Sequence, residues 1–450
     1  MPQVSLPETA AWPNERQLRL SHPVLFSFFS FITDRICKAS SENPSLTVYY
    51  AVVTLSSPTI SQHYRDVSFS PPSPTSDGPS YPEVARSLRQ LDSFQQVHHK
   101  GTPTASPVPE MAQSSPQPLT SAEILAHPEY PHTQWDLKPD SASRIDVAAG
   151  RGGPFKLSYE IHGHGPRHIV WLMGLGGLKR TWQRQTRDFG HLEADKYSCL
   201  VFDNRGIGDS DKPLLRYTTS EMARDTIELL DHVGWTEERS VHVVGISMGG
   251  MIAQELALLI PERVCSLNLI STAPRIVRTL PYLENIRNRI NLMIPKPLDE
   301  QIAKVKADCY SSDWLSKPDE TEAVVQPFPT NGDRFAAGEI YKRTTPGVFD
   351  KKGFMCQLYA AGFHHKSAAQ LKRLGDFVGR ERILVLHGRE DKMVGFIHGE
   401  ILLRELGGEE GGVTKSFHEN LGHVAPFELR KEFRKLISTR IEKTEAMVTS

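Results

Sequence analysis

The chain predicts an α/β protein with a mostly parallel central sheet flanked by helices, and three observations carry that expectation. Beyond about residue 141, short apolar or β-branched runs alternate with helical stretches of about ten to fifteen residues, the pattern of a sheet covered on both faces. Turn-forming clusters such as His162-Gly-His-Gly-Pro166 separate these runs. A serine flanked by glycines, in Gly245-Ile-Ser247-Met-Gly249, stands at a strand-to-helix junction.

Taken in order, residues 155–161 alternate as a strand, and residues 168–173 form a second strand that ends in Gly174-Leu-Gly-Gly177. After a helix over 181–189, residues 197–202 form a third strand, terminated by Asp203-Asn-Arg-Gly-Ile-Gly-Asp-Ser210. Thr219 or Ser220 caps a helix running to about Val233, with Leu229 and Leu230 facing inward and Gly234 as its stop. Val241, Val243 and Val244 mark a buried strand, the apolar run from Met251 to Ile260 a helix, and residues 266–271 the next strand. The alternation fails between about Pro274 and Lys366, where helical patterns such as Leu283, Ile286, Ile290 and Met293 are interrupted by prolines. An insertion there sits above the loops at which α/β proteins bind ligands, so residues 276–366 read as a helical cap between core segments 141–275 and 367–445. Residues 382–387 resume the sheet, 401–406 are helical, 413–417 form the last strand, and an amphipathic helix from Pro426 to about Ile441 closes the fold.

Residues 1–140 read differently. They show no sustained period and are broken by Pro and Ser, as in Ser70-Pro-Pro-Ser-Pro-Thr-Ser-Asp-Gly-Pro79, so they are expected to be a low-complexity, largely disordered extension. The run Val24-Leu-Phe-Ser-Phe-Phe-Ser-Phe-Ile32 has the length of a signal-peptide core but begins late and lacks a small-residue cleavage site, which leaves organelle targeting by the extension open. No apolar run reaches the roughly 18 residues of a membrane span. A formal net charge of −1 gives no electrostatic reason to expect nucleic acid as a partner. The five cysteines are scattered and without C-x-x-C spacing, so neither a disulfide framework nor a zinc site is expected and a reducing, cytoplasmic compartment fits best. No cofactor or metal is expected.

A serine on a sharp strand-to-helix turn is held in a strained backbone conformation that presents its hydroxyl at the helix N-terminus. Ser247 then needs a base, an acid that orients the base, and amides for the oxyanion. Each stands at the end of an expected strand, on one edge of the sheet. The acid is Asp391 in Gly388-Arg-Glu-Asp-Lys-Met393, with Glu390 as competitor; Asp391 is preferred because the residue nearer the strand points back along the turn. The base is His423 in Asn420-Leu-Gly-His-Val424, ahead of His418, His387, His364 and His365; His387 lies within a strand and reads as a satisfied core histidine. The oxyanion donors are the amides of Met248 and Leu175.

At these motifs, Gly245-x-Ser247-x-Gly249, Gly388-x-x-Asp391 and Gly422-His423, residues from about 150 to 445 resemble the α/β-hydrolase fold superfamily of the cap-bearing serine hydrolase kind. Asp203-Asn-Arg-Gly-Ile-Gly-Asp-Ser210 also resembles that family's D-x-R-G-x-G-x-S loop, in which Asp203 and Arg205 would brace neighbouring turns. The resemblance implies acyl transfer to water through a Ser-His-Asp triad and an acyl-enzyme. The chain departs from the family pattern at Met173-Gly174, where the family has His-Gly: the backbone donor survives the change, but the family's side-chain contacts that position the loop do not carry over. The expected substrate is a small, moderately apolar carboxylic ester, as for a carboxylesterase or lipase-like enzyme. Gly174, Gly176, Met293, Trp314 and Phe363 are expected to line its pocket. Hydrolysis of a thioester, lactone or carbon-carbon bond, or a non-catalytic receptor on the same fold, remain the alternatives.

Overall fold

The computed structural model describes residues 117–277 and 296–449. Eight strands, Ser141–Val147 (β1), Phe155–His162 (β2), Arg167–Leu172 (β3), Tyr197–Phe202 (β4), Val241–Ile246 (β5), Val264–Ile270 (β6), Ile383–Gly388 (β7) and Thr414–His418 (β8), form one sheet. Their spatial order is β1-β2-β4-β3-β5-β6-β7-β8. β1 pairs antiparallel with β2, and β2 with β4; every later pairing is parallel. Strands β4, β5, β6 and β7 are buried at every residue, which is why apolar residues dominate them even though polar side chains such as His242, Ser266 and His387 are buried there too. Two apolar clusters fill the space against the strands, one built on Leu172, Val243, Ile252 and Leu402, the other on Trp171, Val244, Leu386 and Ile437.

The described chain begins with a short helix, α1 (Ser121–Ala126), and α2 (Thr219–His232) and α3 (Met248–Leu259) follow β4 and β5. Thr218 caps α2 by accepting from the Glu221 amide, one residue before the cap expected from sequence. Between β6 and β7 stand α4 (Leu298–Cys309), α5 (Ser312–Ser316), α6 (Asn331–Thr344) and α7 (Lys351–Gly362), all inside the expected cap insertion. Helices α8 (Ala368–Val378), α9 (Ile397–Leu406) and α10 (Arg430–Thr449) complete the order. Among the described residues no helix is long and apolar enough to cross a membrane. The helical pattern at Leu283, Ile286, Ile290 and Met293, and the apolar run over residues 24–32, lie outside the described residues.

Two expectations are corrected. β1 was not read from the sequence, because Ser141 to Arg144 are exposed on an edge strand and carry no apolar period. The stretch expected to be disordered up to residue 140 is ordered from residue 117. Thr120 and Glu123 form a reciprocal capping box on α1, and Ile124 is 1% exposed in a cluster with Ile302, Phe328, Ala336, Ala337 and Ile340. The buried Glu129 carboxylate accepts from the amides of Val324 (3.0 Å) and Val325 (2.9 Å). The Leu119 amide donates to Asp333 at 3.0 Å. These partners lie as far as 214 positions downstream, so local composition could not announce them.

Ile124 therefore belongs to the packed interior of the insertion. Ile124→Ala in the full chain is expected to cost about 3 kcal/mol, within the range for deleting a buried aliphatic side chain, read as a lowered urea midpoint. A silent substitution would mean that this stretch is not part of the folded unit.

Candidate active site

Ser247 occupies the junction between β5 and α3 with φ 57° and ψ −123°, a conformation that a non-glycine residue holds only at a cost of roughly 1–3 kcal/mol. Its backbone is fixed on both sides. The Ser247 amide donates to Ile270 O (3.0 Å) on β6, and Ser247 O accepts from the Thr272 hydroxyl (2.7 Å) and the Gly250 amide (3.0 Å). The flanking glycines are required by close approach: a Cβ on Gly249 would stand 2.0 Å from Leu172 O, and one on Gly245 would stand 2.5 Å from Gly249 O. Met248 is the first residue of α3, so its amide has no acceptor within the helix and points from the positive end of the dipole.

The loop after β3 lies directly against the serine. A Cβ on Gly174 would come within 3.0 Å of Ser247 Cβ and 3.6 Å of its Oγ. In this loop the Gly177 amide bonds Gly174 O (3.2 Å) and the Gly176 amide bonds Gln357 Oε1 (2.9 Å). Among the described residues the Leu175 amide, which precedes both, has no acceptor.

Asp391 follows β7, and its side chain is fully buried. Oδ1 accepts from the amides of Met393 (2.9 Å) and Val394 (2.8 Å), and Oδ2 accepts from His423 Nδ1 at 2.7 Å. The carboxylate can only accept, so Nδ1 of His423 carries a proton and Nε2 presents a lone pair when the ring is neutral. Glu390, the competing acid, spends its amide on Leu421 O (3.0 Å), and among the described residues its carboxylate has no hydrogen bond to His423. Burial pushes the Asp391 carboxyl up, but the His423 ring and the hydrogen bonds from His387 and His423 outweigh it and hold the group at about 2.

His423 sits on the loop after β8, only 6% exposed, with its amide donating to Cys309 O at 2.7 Å. Glu428 braces the same loop, accepting from the Gly422 amide (3.2 Å) and from the Ser311 amide (3.1 Å) and hydroxyl (2.7 Å). The base loop is thus tied to the C-terminal end of α4. The structure brings Asp391 and His423 into contact and sets Ser247 on the same edge of the sheet. Among the described residues neither the Ser247 hydroxyl nor His423 Nε2 makes a hydrogen bond.

His387 is a contact that sequence reasoning missed. It is buried, as expected for a core histidine, but it is incompletely satisfied: Nε2 bonds Val394 O (2.7 Å) and lies 3.2 Å from Asp391 Oδ2, while Nδ1 has no partner. Its spacing of four residues before Asp391, across the strand end, was the available signal. Of the expected pocket residues, Gly174 and Gly176 lie in the loop beside Ser247, and Met293 lies outside the described residues. Trp314 stacks on Tyr310 (4.8 Å between centroids), beside the base loop. Phe363 goes elsewhere: 69% exposed, it stacks on Tyr359 and lines a cavity of about 300 Å³ with Thr219, Glu255, His364 and Lys366. Ser247, Asp391 and His423 are not part of that lining.

Asp203 and Arg205 take the bracing positions expected of them. Arg205 forms two 2.6 Å bonds to Asp225 on α2, and Asp203 accepts from the amides of Lys179 (2.7 Å) and Asp209 (2.9 Å). A second Ser-His-acid alignment exists at the opposite, N-terminal end of the strands. Ser266 Oγ lies 2.9 Å from His242 Nδ1, and His242 Nε2 lies 3.6 Å from Glu445. Ser266 is 0% exposed and also accepts from Asn268, and burial pushes the His242 pKa down, so this group is closed to substrate. Among the described residues no cluster of His, Cys, Asp and Glu has the arrangement of a metal site.

Residues 167–406 match the family described as alpha/beta hydrolase fold. A candidate carbamate hydrolase, RutD, from Azorhizobium caulinodans is 36% identical over 141 residues, 31% of this chain and 50% of that protein. A candidate non-heme bromoperoxidase, BpoC, from Mycobacterium tuberculosis is 40% identical over 126 residues, 28% of this chain and 45% of that protein. The chain thus spans about half the length of the curated relatives it matches. Among solved structures, a thermophilic esterase from Thermogutta terrifontis superposes with a TM-score of 0.53 at 19% identity, covering 68% of this chain and 99% of that one, a likeness of fold.

The depressed Asp391 pKa ties acid stability to this site. A carboxyl lowered from its ordinary 3.8 to about 2 contributes stability that is complete above about pH 4 and lost as pH falls through 2. Between those limits the native protein is expected to lose about 2 kcal/mol more than Asp391→Asn, measured by urea unfolding at each pH.

Proposed function

Because the chain belongs to the α/β-hydrolase fold family, we propose that it is a serine hydrolase that cleaves a carboxylic ester through Ser247, His423 and Asp391. The observation that carries the reading is the 2.7 Å bond between Asp391 and His423, side chains from two loops on the same sheet edge as the strained Ser247.

In the proposed reaction, Ser247 Oγ attacks the ester carbonyl as His423 Nε2 takes the hydroxyl proton. Asp391 stabilises the imidazolium through Nδ1 without itself taking a proton. The carbonyl oxygen becomes an oxyanion held by the Met248 and Leu175 amides, an arrangement worth about 3 kcal/mol per donor. Collapse expels the alcohol, which carries away the proton from Nε2, and leaves an acyl-enzyme. His423 then deprotonates a water that attacks the acyl carbon, and the acid leaves as Ser247 recovers its proton. The missing bond between Ser247 and Nε2 suits a site that tightens only around substrate.

A moderately apolar acyl group is supported by the aromatic pair Phe349 and Phe354, 5.4 Å apart, against which the loop at Gly176 rests. A panel of p-nitrophenyl esters of increasing acyl length, run beside thioesters and lactones, ranks the bond types. Ester turnover is expected to exceed the others; preferred cleavage of a thioester or lactone would replace the ester assignment within the same mechanism.

A fluorophosphonate probe is expected to label the native protein and to leave Ser247→Ala unlabelled. Asp391→Asn should keep the fold and lower kcat by about 10⁴-fold. An unlabelled native protein would favour a non-catalytic receptor on this fold, and labelling that survives Ser247→Ala would move the nucleophile elsewhere.

A further inference from the structure

The oxyanion loop lacks the histidine that the family pattern places before its first glycine, having Met173-Gly174 instead. Its support comes from the insertion. Gln357 on α7 is completely buried, and both ends of its amide are used: Oε1 accepts from the Gly176 amide at 2.9 Å and Nε2 donates to Arg205 O at 2.9 Å. From the other side Asn204 Nδ2 donates to Met173 O at 3.2 Å. The loop after β3, the loop after β4 and α7 are thereby closed into one ring of hydrogen bonds.

We propose that Gln357 is a positioning residue for the oxyanion site, and that it couples seating of the insertion to turnover. The inference rests on the serine hydrolase reading above. The Gly176 amide belongs to the Leu175–Gly176 peptide, so fixing it fixes the orientation of Leu175 and leaves the Leu175 amide free for the substrate oxygen. Gly176 itself has φ +65°, and a Cβ there would come within 2.8 Å of the Phe354 ring, one turn before Gln357 on α7. Only glycine admits α7 this close. The side chain that aims the donor therefore arrives from 181 residues downstream, on an element outside the sheet. If α7 lifts, the loop loses its acceptor at Gly176 and with it the restraint on the Leu175–Gly176 peptide.

The test uses the full chain with Gln357→Met, which keeps the volume and removes both bonds, and Gln357→Glu, which keeps the acceptor for Gly176 but cannot donate to Arg205 O when ionised. Rates on a p-nitrophenyl ester are divided by the sites titrated with fluorophosphonate, so unfolded protein does not count. Binding of an aryl trifluoromethyl ketone, whose serine adduct carries an oxyanion, is measured beside them. For Gln357→Met, kcat per titrated site is expected to fall about 30-fold with KM nearly unchanged, and ketone affinity to fall in proportion, as for loss of transition-state contact alone. Gln357→Glu is expected to lose clearly less. An unchanged kcat per titrated site overturns the proposal, as does a loss confined to KM or one equal in the two variants. A native protein that neither labels nor turns over any ester removes the hydrolase reading and this inference with it, an outcome visible before any variant is made.

Discussion

A serine at φ 57° persists only where its surroundings allow no other path for the chain, and much of the molecule serves that restriction. β5 lies between β3 and β6 near the middle of the sheet, so the chain leaving it is gripped by backbone from both neighbours. Ile270 O receives the Ser247 amide, Thr272 binds its carbonyl, and Leu172 O comes so near Gly249 that no side chain fits. Burial of β4, β5, β6 and β7 on both faces makes this frame stiff, because a shift of one strand would have to repack two layers at once.

The polar groups around this point are distributed over loops that share little sequence but many bonds. The turn after β7 and the loop after β8 are joined by Asp391 to His423 and by the Glu390 amide to Leu421 O. The loop after β8 is joined to the insertion through Cys309 O and Glu428, and the loop after β3 through Gln357. The carboxylates of Asp391 and Glu428 accept two backbone amides each, which locks the loops that supply the donors.

What could be read from the sequence was what is local. The central strands were plain because apolar residues dominate each of them, and Ser247 was plain because strand, glycines and helix succeed one another within a few residues. The preference for Asp391 over Glu390 rests on turn direction; the Met393 and Val394 amides that bond Asp391 come from its own turn and leave no period to read in the sequence. β1 was missed because an exposed edge strand has no period to read, and the stretch around Ile124 and Glu129 was missed because its partners lie far downstream. Gln357 gave no signal at all, since a glutamine on a helix of the insertion resembles any solvated side chain until the loop at Gly176 is seen beneath it. Phe363 failed for the converse reason: apolar character alone does not say which surface an aromatic ring will face.

The attachment of α4 and α7 to the sheet edge that carries Ser247 bears on how this architecture could be re-engineered. Insertions between a sixth and a seventh strand invite treatment as interchangeable modules, grafted to alter acceptance of larger or smaller acyl chains. Here a graft would carry off the glutamine beneath Gly176 and the carbonyl at Cys309, so a chimera would loosen the loops at Gly176 and His423 that the native helices hold. Stretches such as residues 318–326 stand apart from this attachment, bonding to Glu129, to Arg334 on α6 and to Arg187 rather than to the loops around Ser247.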